Sequence, residues 1–260
     1  MPLEVFMIGR TEFYDDQAIR SEDVWESDKD GTDGALLVEF AGRACYQSFD
    51  KANPRTRSNK DYLGHIEEVG HWSVMEHATV TFYIKGVSRS LTHELVRHRH
   101  LSPSQLSQRF VVLNPDVMVR DFVVPPLFEH SEAASDILLD LWDAAIQAYE
   151  KLLPIGERRA QELGLTGTLA KKRAREAARA VLPNMTPTAI VLTGNHRAWR
   201  DMLLKRLQPE ADLEISRLAQ VIFGQLSEAD PALYQDLQVV LTDEGPSLRA
   251  IPPSGESVGR

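Results

Sequence analysis

The order in which hydrophobic periodicities appear limits this chain more than any single motif does. Two-residue alternation comes early. It is seen in Leu3-Glu4-Val5-Phe6-Met7 and again where Ala78, Val80, Phe82 and Ile84 alternate with Thr79, Thr81 and Tyr83. Helical spacing dominates later, with an apolar side of Ile137, Leu138, Leu141, Ala145, Ala148 and Leu152 predicting a helix from about Ser135 to Leu153. Further helices are predicted over Ala35 to Cys45, 58–70, Leu169 to Leu182 and about Glu210 to Ser227. Two more are predicted from Ser88 towards Arg99 and, capped by Asn195, to Leu207. Short extended runs are expected at Val111 to Leu113, Val117 to Val124 and Ala189 to Leu192. Strands early and helices late, without regular βαβ alternation, favour an α+β fold over a doubly wound parallel sheet. The expectation is one domain over residues 1–245, with a mainly antiparallel sheet flanked by long helices. Residues 15–34 read as an acidic solvated loop, and residues 246–260, rich in Pro, Gly and Ser, as a loose tail.

Charge is distributed unevenly. The formal charge is −9, and residues 1–40 alone carry 11 acids against 3 bases, so the remainder is close to neutral. Within that remainder sit three dense basic groups: Arg97-His98-Arg99-His100; Lys171-Lys172-Arg173 with Arg175 and Arg179; and Arg197, Arg200, Lys205 and Arg206. Three such groups in a near-neutral body suit concave sites for small anions such as phosphates. The pI of about 5.4 argues against extended nucleic acid as the partner. No apolar run reaches the ~18 residues of a membrane span, and no secretory signal is evident, so a cytoplasmic setting and no membrane partner are expected. The one cysteine, Cys45, excludes an internal disulfide and reads as a small buried hydrophobe on its helix.

Several chemistries are absent from the sequence. It contains no dinucleotide or phosphate-loop glycine pattern and no nucleophile elbow. His93-Glu94 is followed by a histidine only at His98, five residues on, which is ~140° around a helix and cannot share a zinc with His93. No metal is expected. The stretch from His93 to Arg109 remains. Ser90, Glu94 and Arg97 are spaced to share a helix face, Pro103 stops that helix, and Gln105, Leu106, Ser107, Gln108 and Arg109 follow. Arginine suits such a place because its planar fork grips phosphate in bidentate fashion.

Arg97-His98-Arg99, seven residues and then Ser107 resembles the Arg-His-Arg-x7-Ser signature of the flavin-dependent thymidylate synthases. Four further blocks are similar to that family in the same order: Gly70 to His77, Glu94 to Arg97, Ala178 to Pro183 and Thr193 to Arg197. Together they cover residues 35 to about 225.

The resemblance implies synthesis of dTMP from dUMP, with 5,10-methylenetetrahydrofolate as carbon donor and FAD passing hydride from NADPH. It implies FAD contacts from Ser73, Arg97, His98, Arg99, Gln105, Asn195, His196, Arg197 and Asp201. It implies dUMP contacts from Glu94, Leu95, Val96, Arg97, Gln105, Leu106, Ser107, Gln108, Arg109, Arg179 and Arg206. His71 would lie near flavin and folate. A homotetramer with sites shared between subunits is also implied. Arg206 is the candidate for stabilising negative charge on the uracil ring, and Ser107 reads as a nucleotide ligand rather than an attacking group. Phe110 stands where the family often has tyrosine, and Asp201 where it often has histidine or asparagine. The rival readings are a non-catalytic flavin- or nucleotide-binding module and a nucleic-acid binder using the Lys171–Arg179 helix.

Overall fold

A computed structural model of the 260-residue chain describes residues 2–22, 25–26, 28–111 and 122–251. In chain order its strands and helices are β1 (Glu4–Arg10), α1 (Asp15–Ser21), α2 (Asp33–Tyr46), α3 (Asn59–Val69), β2 (Thr79–Ser88), α4 (Arg89–Leu95), β3 (Ser102–Gln105), α5 (Glu132–Glu162), α6 (Gly167–Ala178), β4 (Pro187–Asn195), α7 (His196–Arg206), α8 (Leu213–Ala229), β5 (Leu237–Thr242) and β6 (Gly245–Ala250). The class is α+β, with a mainly antiparallel sheet in the order β1–β2–β4–β3. The runs expected at Val111 to Leu113 and Val117 to Val124 fall largely outside the described residues.

Packing groups the chain into two compact units. One holds Met1–Glu4, Ile84–Leu95 and Ser104–Val191, and the other Val5–Tyr83, Val96–Pro103 and Leu192–Arg260. The chain passes between them inside β1, β2, β3 and β4 and directly after α4.

In the first unit α5 runs for 31 residues, longer at both ends than its periodicity predicts, because Ser131 caps it (Oγ accepts from Ala134 N at 3.3 Å) and Pro154 is accommodated inside it. Its partner α6 buries a stripe of Ala170, Ala174 and Ala178, and a Cβ at Gly156 would lie 3.0 Å from the Ala174 backbone. Small residues on both helices allow this close approach.

The second unit has a larger core. On β2, Val80 and Phe82 are fully buried, and Phe82 meets the edge of Trp199 of α7 at 5.1 Å between centroids. Gly194 is required beside them, since a Cβ there would lie 2.3 Å from Leu101. Helix α8 buries Ile215, Leu218, Ala219, Ile222 and Leu226, the spacing of one helical face.

Four expectations change. Residues 15–34 are not a solvated loop: they contain α1, and Trp25, 2% exposed, packs with Ala18 and Phe49 against Phe13 and Phe40. Burying one indole contributes a few kcal/mol, and the indole Nε1 also donates to the half-buried Asp15 carboxylate at 3.3 Å. The tail is ordered to Ile251: β6 pairs antiparallel with β5 from Thr242↔Gly245 to Leu237↔Ala250, tied down by Leu248 N to Leu207 O at 2.8 Å; residues 252–260 lie outside the described residues. Helix α4 ends at Leu95, so Arg97 sits in the following turn and does not share a helix face with Ser90 and Glu94. Cys45 is exposed, because α2 turns Leu36, Val38, Glu39, Gly42 and Arg43 inward instead.

Candidate functional site

In the second unit, a pocket of about 420 Å³ opens between the turn after α4 and the start of α7, lined by Glu76, Arg97, His98, Arg99, His100, Asn195, Arg197, Ala198, Asp201 and Lys205. Local chemistry explains why these residues meet. The carbonyl of His98 accepts from Leu101 N at 3.0 Å and closes the turn that carries Arg97, His98 and Arg99. Asn195 Oδ1 accepts from Ala198 N at 2.8 Å, fixing the first turn of α7. Four-residue spacing then aligns Arg197, Asp201 and Lys205 along one face. Arg197 pairs with Glu76 at 2.5 Å and Lys205 with Asp201 at 2.7 Å.

Arg206 donates from Nε to Nε2 of His98 at 2.9 Å, and Asp201 Oδ2 lies 3.7 Å from the other ring nitrogen. Burial, then the Arg206 charge, holds the His98 imidazole below its ordinary pKa, so it is neutral near pH 7.

Of the residues expected at FAD, the structure brings six to this pocket: Arg97, His98, Arg99, Asn195, Arg197 and Asp201. Three lie elsewhere. Ser73 is exposed on the 3-10 turn Trp72–Glu76 and is not on the lining. Gln105 belongs to the first unit, where its amide donates to Thr92 at 3.1 Å and approaches Thr188 at 3.4 Å. His196 is corrected as a side-chain contact. It is 1% exposed, with Nδ1 2.8 Å from the Tyr234 hydroxyl and Nε2 3.6 Å from Asp230, and its ring serves the core. Arg200 is likewise no anion site: its guanidinium is buried against both oxygens of Asp236, at 2.8 and 2.6 Å.

The residues expected at dUMP divide between the units. Val96 and Arg97, both exposed, and Arg206 are in the second unit. In the first, Glu94 is half-buried and Leu106 exposed, while Leu95 is 2% exposed, so its side chain belongs to the core. Gln108 is half-buried, and Ser107 Oγ accepts from Arg109 N at 3.3 Å. Arg109 pairs with Glu176 at 2.6 Å, and Arg173 reaches the same carboxylate at 2.8 Å. Burial resists ionisation of Glu176, but the Arg173 hydrogen bond and the charges of Arg109, Arg173 and Arg179 outweigh it and lower its pKa.

Arg89 is a residue that the sequence reading missed. It donates to the Leu106 carbonyl at 3.2 Å, and burial and then the Arg179 charge lower its pKa. The buried Nε atoms of Arg89 and Arg109 make no hydrogen bond among the described residues. Two donors desolvated beside a cluster of like charge form a place where an anion relieves both costs. Lys172 and Arg175, of the second basic group, pack on Phe110: Lys172 Nζ is 4.2 Å from the ring centroid and Arg175 donates to the Phe110 carbonyl at 3.1 Å.

His71 stacks on Tyr46 at 6.0 Å beside a second pocket of about 450 Å³ that also includes Lys51, Tyr62 and His65. No helix among the described residues is long and apolar enough to cross a membrane.

Comparison with known proteins gives one family. Residues 29–232 match the family described as thymidylate synthase complementing protein (Thy1). Proteins named flavin-dependent thymidylate synthase are similar along almost the whole chain. The one from Mycolicibacterium vanbaalenii is 48% identical over 255 residues, covering 98% of each chain. The one from Mycobacterium bovis (strain BCG / Pasteur 1173P2) is 48% identical over 257 residues, also covering 98% of each. The one from Mycobacterium sp. (strain JLS) is 47% identical over 256 residues, covering 96% of each. With the Arg97–Arg99 turn and α7 lining one basic pocket and the family matched across both units, the chain belongs to the thymidylate synthase complementing protein family.

Proposed function

We propose that this protein is an enzyme that makes dTMP from dUMP, taking the carbon from 5,10-methylenetetrahydrofolate, with FAD passing hydride from NADPH. The observation that carries this reading is the pocket of Arg97, His98, Arg99, Asn195, Arg197 and Asp201, residues far apart in sequence that line one cavity. Its lining fits a dinucleotide cofactor. Arg97, Arg99, Arg197 and Lys205 outnumber Glu76 and Asp201 and suit a pyrophosphate, and the N-terminus of α7 adds its positive end. When bound, the flavin supplies hydride, and the protein orients and polarises the reactants.

The residues of the chain then act in named ways. Arg89, Arg109 and Arg179 hold the dUMP phosphate, replacing hydration with guanidinium donors. Gln105, Leu106, Ser107 and Gln108 position the nucleotide, and Glu94 and Arg97 are further ligands for it. Arg206 stabilises the negative charge that develops on the uracil ring as it loses its N3 proton and becomes nucleophilic at C5. A guanidinium stays protonated, so it stabilises that charge and does not take the proton away. His71, with Tyr46 against it, lines a separate aromatic pocket where a flat folate or flavin ring can stack. Arg89, Arg109 and Arg179 belong to the first unit, and Arg97, His98 and Arg206 to the second. A homotetramer that combines residues from several subunits accords with that division; as a separate part of this reading, the protein works in the cytoplasm without nucleic acid or membrane partners.

The test is release of tritium from 5-labelled dUMP by the yellow, flavin-loaded protein, dependent on both NADPH and methylenetetrahydrofolate. A flavoprotein that binds dUMP but releases none is a binding module, and the reading fails. Ser107→Ala is expected to weaken dUMP binding about fivefold, one neutral hydrogen bond, and to keep measurable turnover. Complete loss of turnover with binding intact makes Ser107 a nucleophile instead.

A further inference from the structure

The interaction of His98 with α7 goes further than the proposed function. Arg206 Nε always carries hydrogen and can only donate, so at 2.9 Å it must meet a lone pair on His98 Nε2. A neutral imidazole with that lone pair bears its proton on Nδ1, and the charge facing Nδ1 is Asp201 Oδ2 at 3.7 Å. The imidazole is nearly enclosed, its side chain 5% exposed, whereas Asp201 is half open to solvent and shares its carboxylate with Lys205.

We infer that Asp201 holds His98 in the Nδ1–H tautomer, and that His98 in turn sets the direction of the Arg206 guanidinium, so that both are positioning residues for the group that meets the pyrimidine. This rests on the reading of Arg206 as a dUMP ligand. The arrangement resembles the carboxylate–histidine pairs behind metal ligands, here orienting an arginine. It also gives a chemical use for an acid at position 201, where the family often has histidine or asparagine.

The arrangement depends on pH. A protonated His98 has no lone pair for Arg206 and repels it. The charged groups facing His98 from α7 are Arg206, Asp201 and Lys205; Glu76 of the 3-10 turn and Arg97, Arg99 and His100 of its own turn share the pocket. Asp201 favours the imidazolium, while Arg206 and Lys205 oppose it.

The experiment is calorimetric titration of flavin-loaded protein with dUMP between about pH 5 and pH 8. It is accompanied by nitrogen-15 histidine spectra that read which ring nitrogen carries hydrogen. The wild type is expected to show hydrogen on Nδ1 of His98 at neutral pH and to bind dUMP about tenfold more weakly once His98 is protonated. Asp201→Asn moves that midpoint to more acid pH, and Lys205→Gln moves it to higher pH. His98→Gln, which keeps an acceptor but cannot ionise, removes the step. The dUMP phosphate titrates near pH 6 in every variant alike, so only differences between variants are read. The inference is overturned if Nε2 carries the hydrogen or if the two α7 variants keep the wild-type midpoint. If Arg206→Ala binds dUMP as tightly as wild type, the assignment of Arg206 fails instead, and the tautomer spectra still decide the relation of Asp201 to His98.

Discussion

Arg206→Ala is expected to lower turnover in the tritium-release assay by a factor of 10² to 10³ and to raise the dUMP Kd about tenfold. The first figure is what removal of one preorganised donor aimed at developing negative charge costs elsewhere, and the second is the loss of one charge-assisted hydrogen bond. The two effects differ because the uracil ring is neutral when it binds and anionic only as it reacts, so the guanidinium contributes more to the transition state than to the complex. Arg206→Lys separates charge from geometry. It restores a cation but not the planar Nε–H that His98 accepts, and recovery of less than a tenth of the lost turnover is expected. Wild-type turnover in Arg206→Ala would remove the ring-anion role.

How much of this was legible beforehand can be followed along α7. The cap at Asn195 was readable because capping is local: the side chain bonds an amide three residues on. The signature that pointed to Arg97, His98 and Arg99 was readable because its spacing is specific. Helix α7 carries a further local signal. Arg197, Asp201 and Lys205 repeat at four residues and face the pocket, while His196 and Arg200, equally spaced, face the core. His196 lies ~100° around the helix from Arg197, so the two adjacent side chains of the resembling block point different ways. Other features had no local signal. Arg89 stands alone in sequence and meets Arg179 only in the fold. Strand β6 lies in a stretch that reads as Pro-, Gly- and Ser-rich until its pairing with β5 is known, and Pro246 is tolerated on a strand with an open edge. Trp25 is one indole in an acidic run, and nothing beside it announces Phe49 and Phe40 as its neighbours.

Arg200→Ala is expected to destabilise the protein by about 3–5 kcal/mol, a large part of the 5–15 kcal/mol of a whole domain, read as a lowered urea midpoint. The cost comes from what is left behind. Asp236, 2% exposed, loses two hydrogen bonds from the guanidinium, and the Leu233 carbonyl loses one at 2.8 Å. Glu67 lies at 3.8 Å in the same enclosed place, and neither of its oxygens makes a hydrogen bond among the described residues. One cation cannot offset two buried carboxylates. Burial, and then the Asp236 charge, hold Glu67 protonated well above the usual carboxylate range. The sign of the linkage follows: the folded state keeps a proton that the unfolded state releases. The stability this contributes is complete at and below the usual carboxylate range and is lost progressively as pH rises through neutrality towards the raised folded value. Glu67→Gln, which imitates the protonated acid, should leave stability near pH 5 almost unchanged and flatten its decline towards pH 9. Parallel declines in Glu67→Gln and wild type would mean that Glu67 is ionised in the fold, with Arg200 balancing both acids.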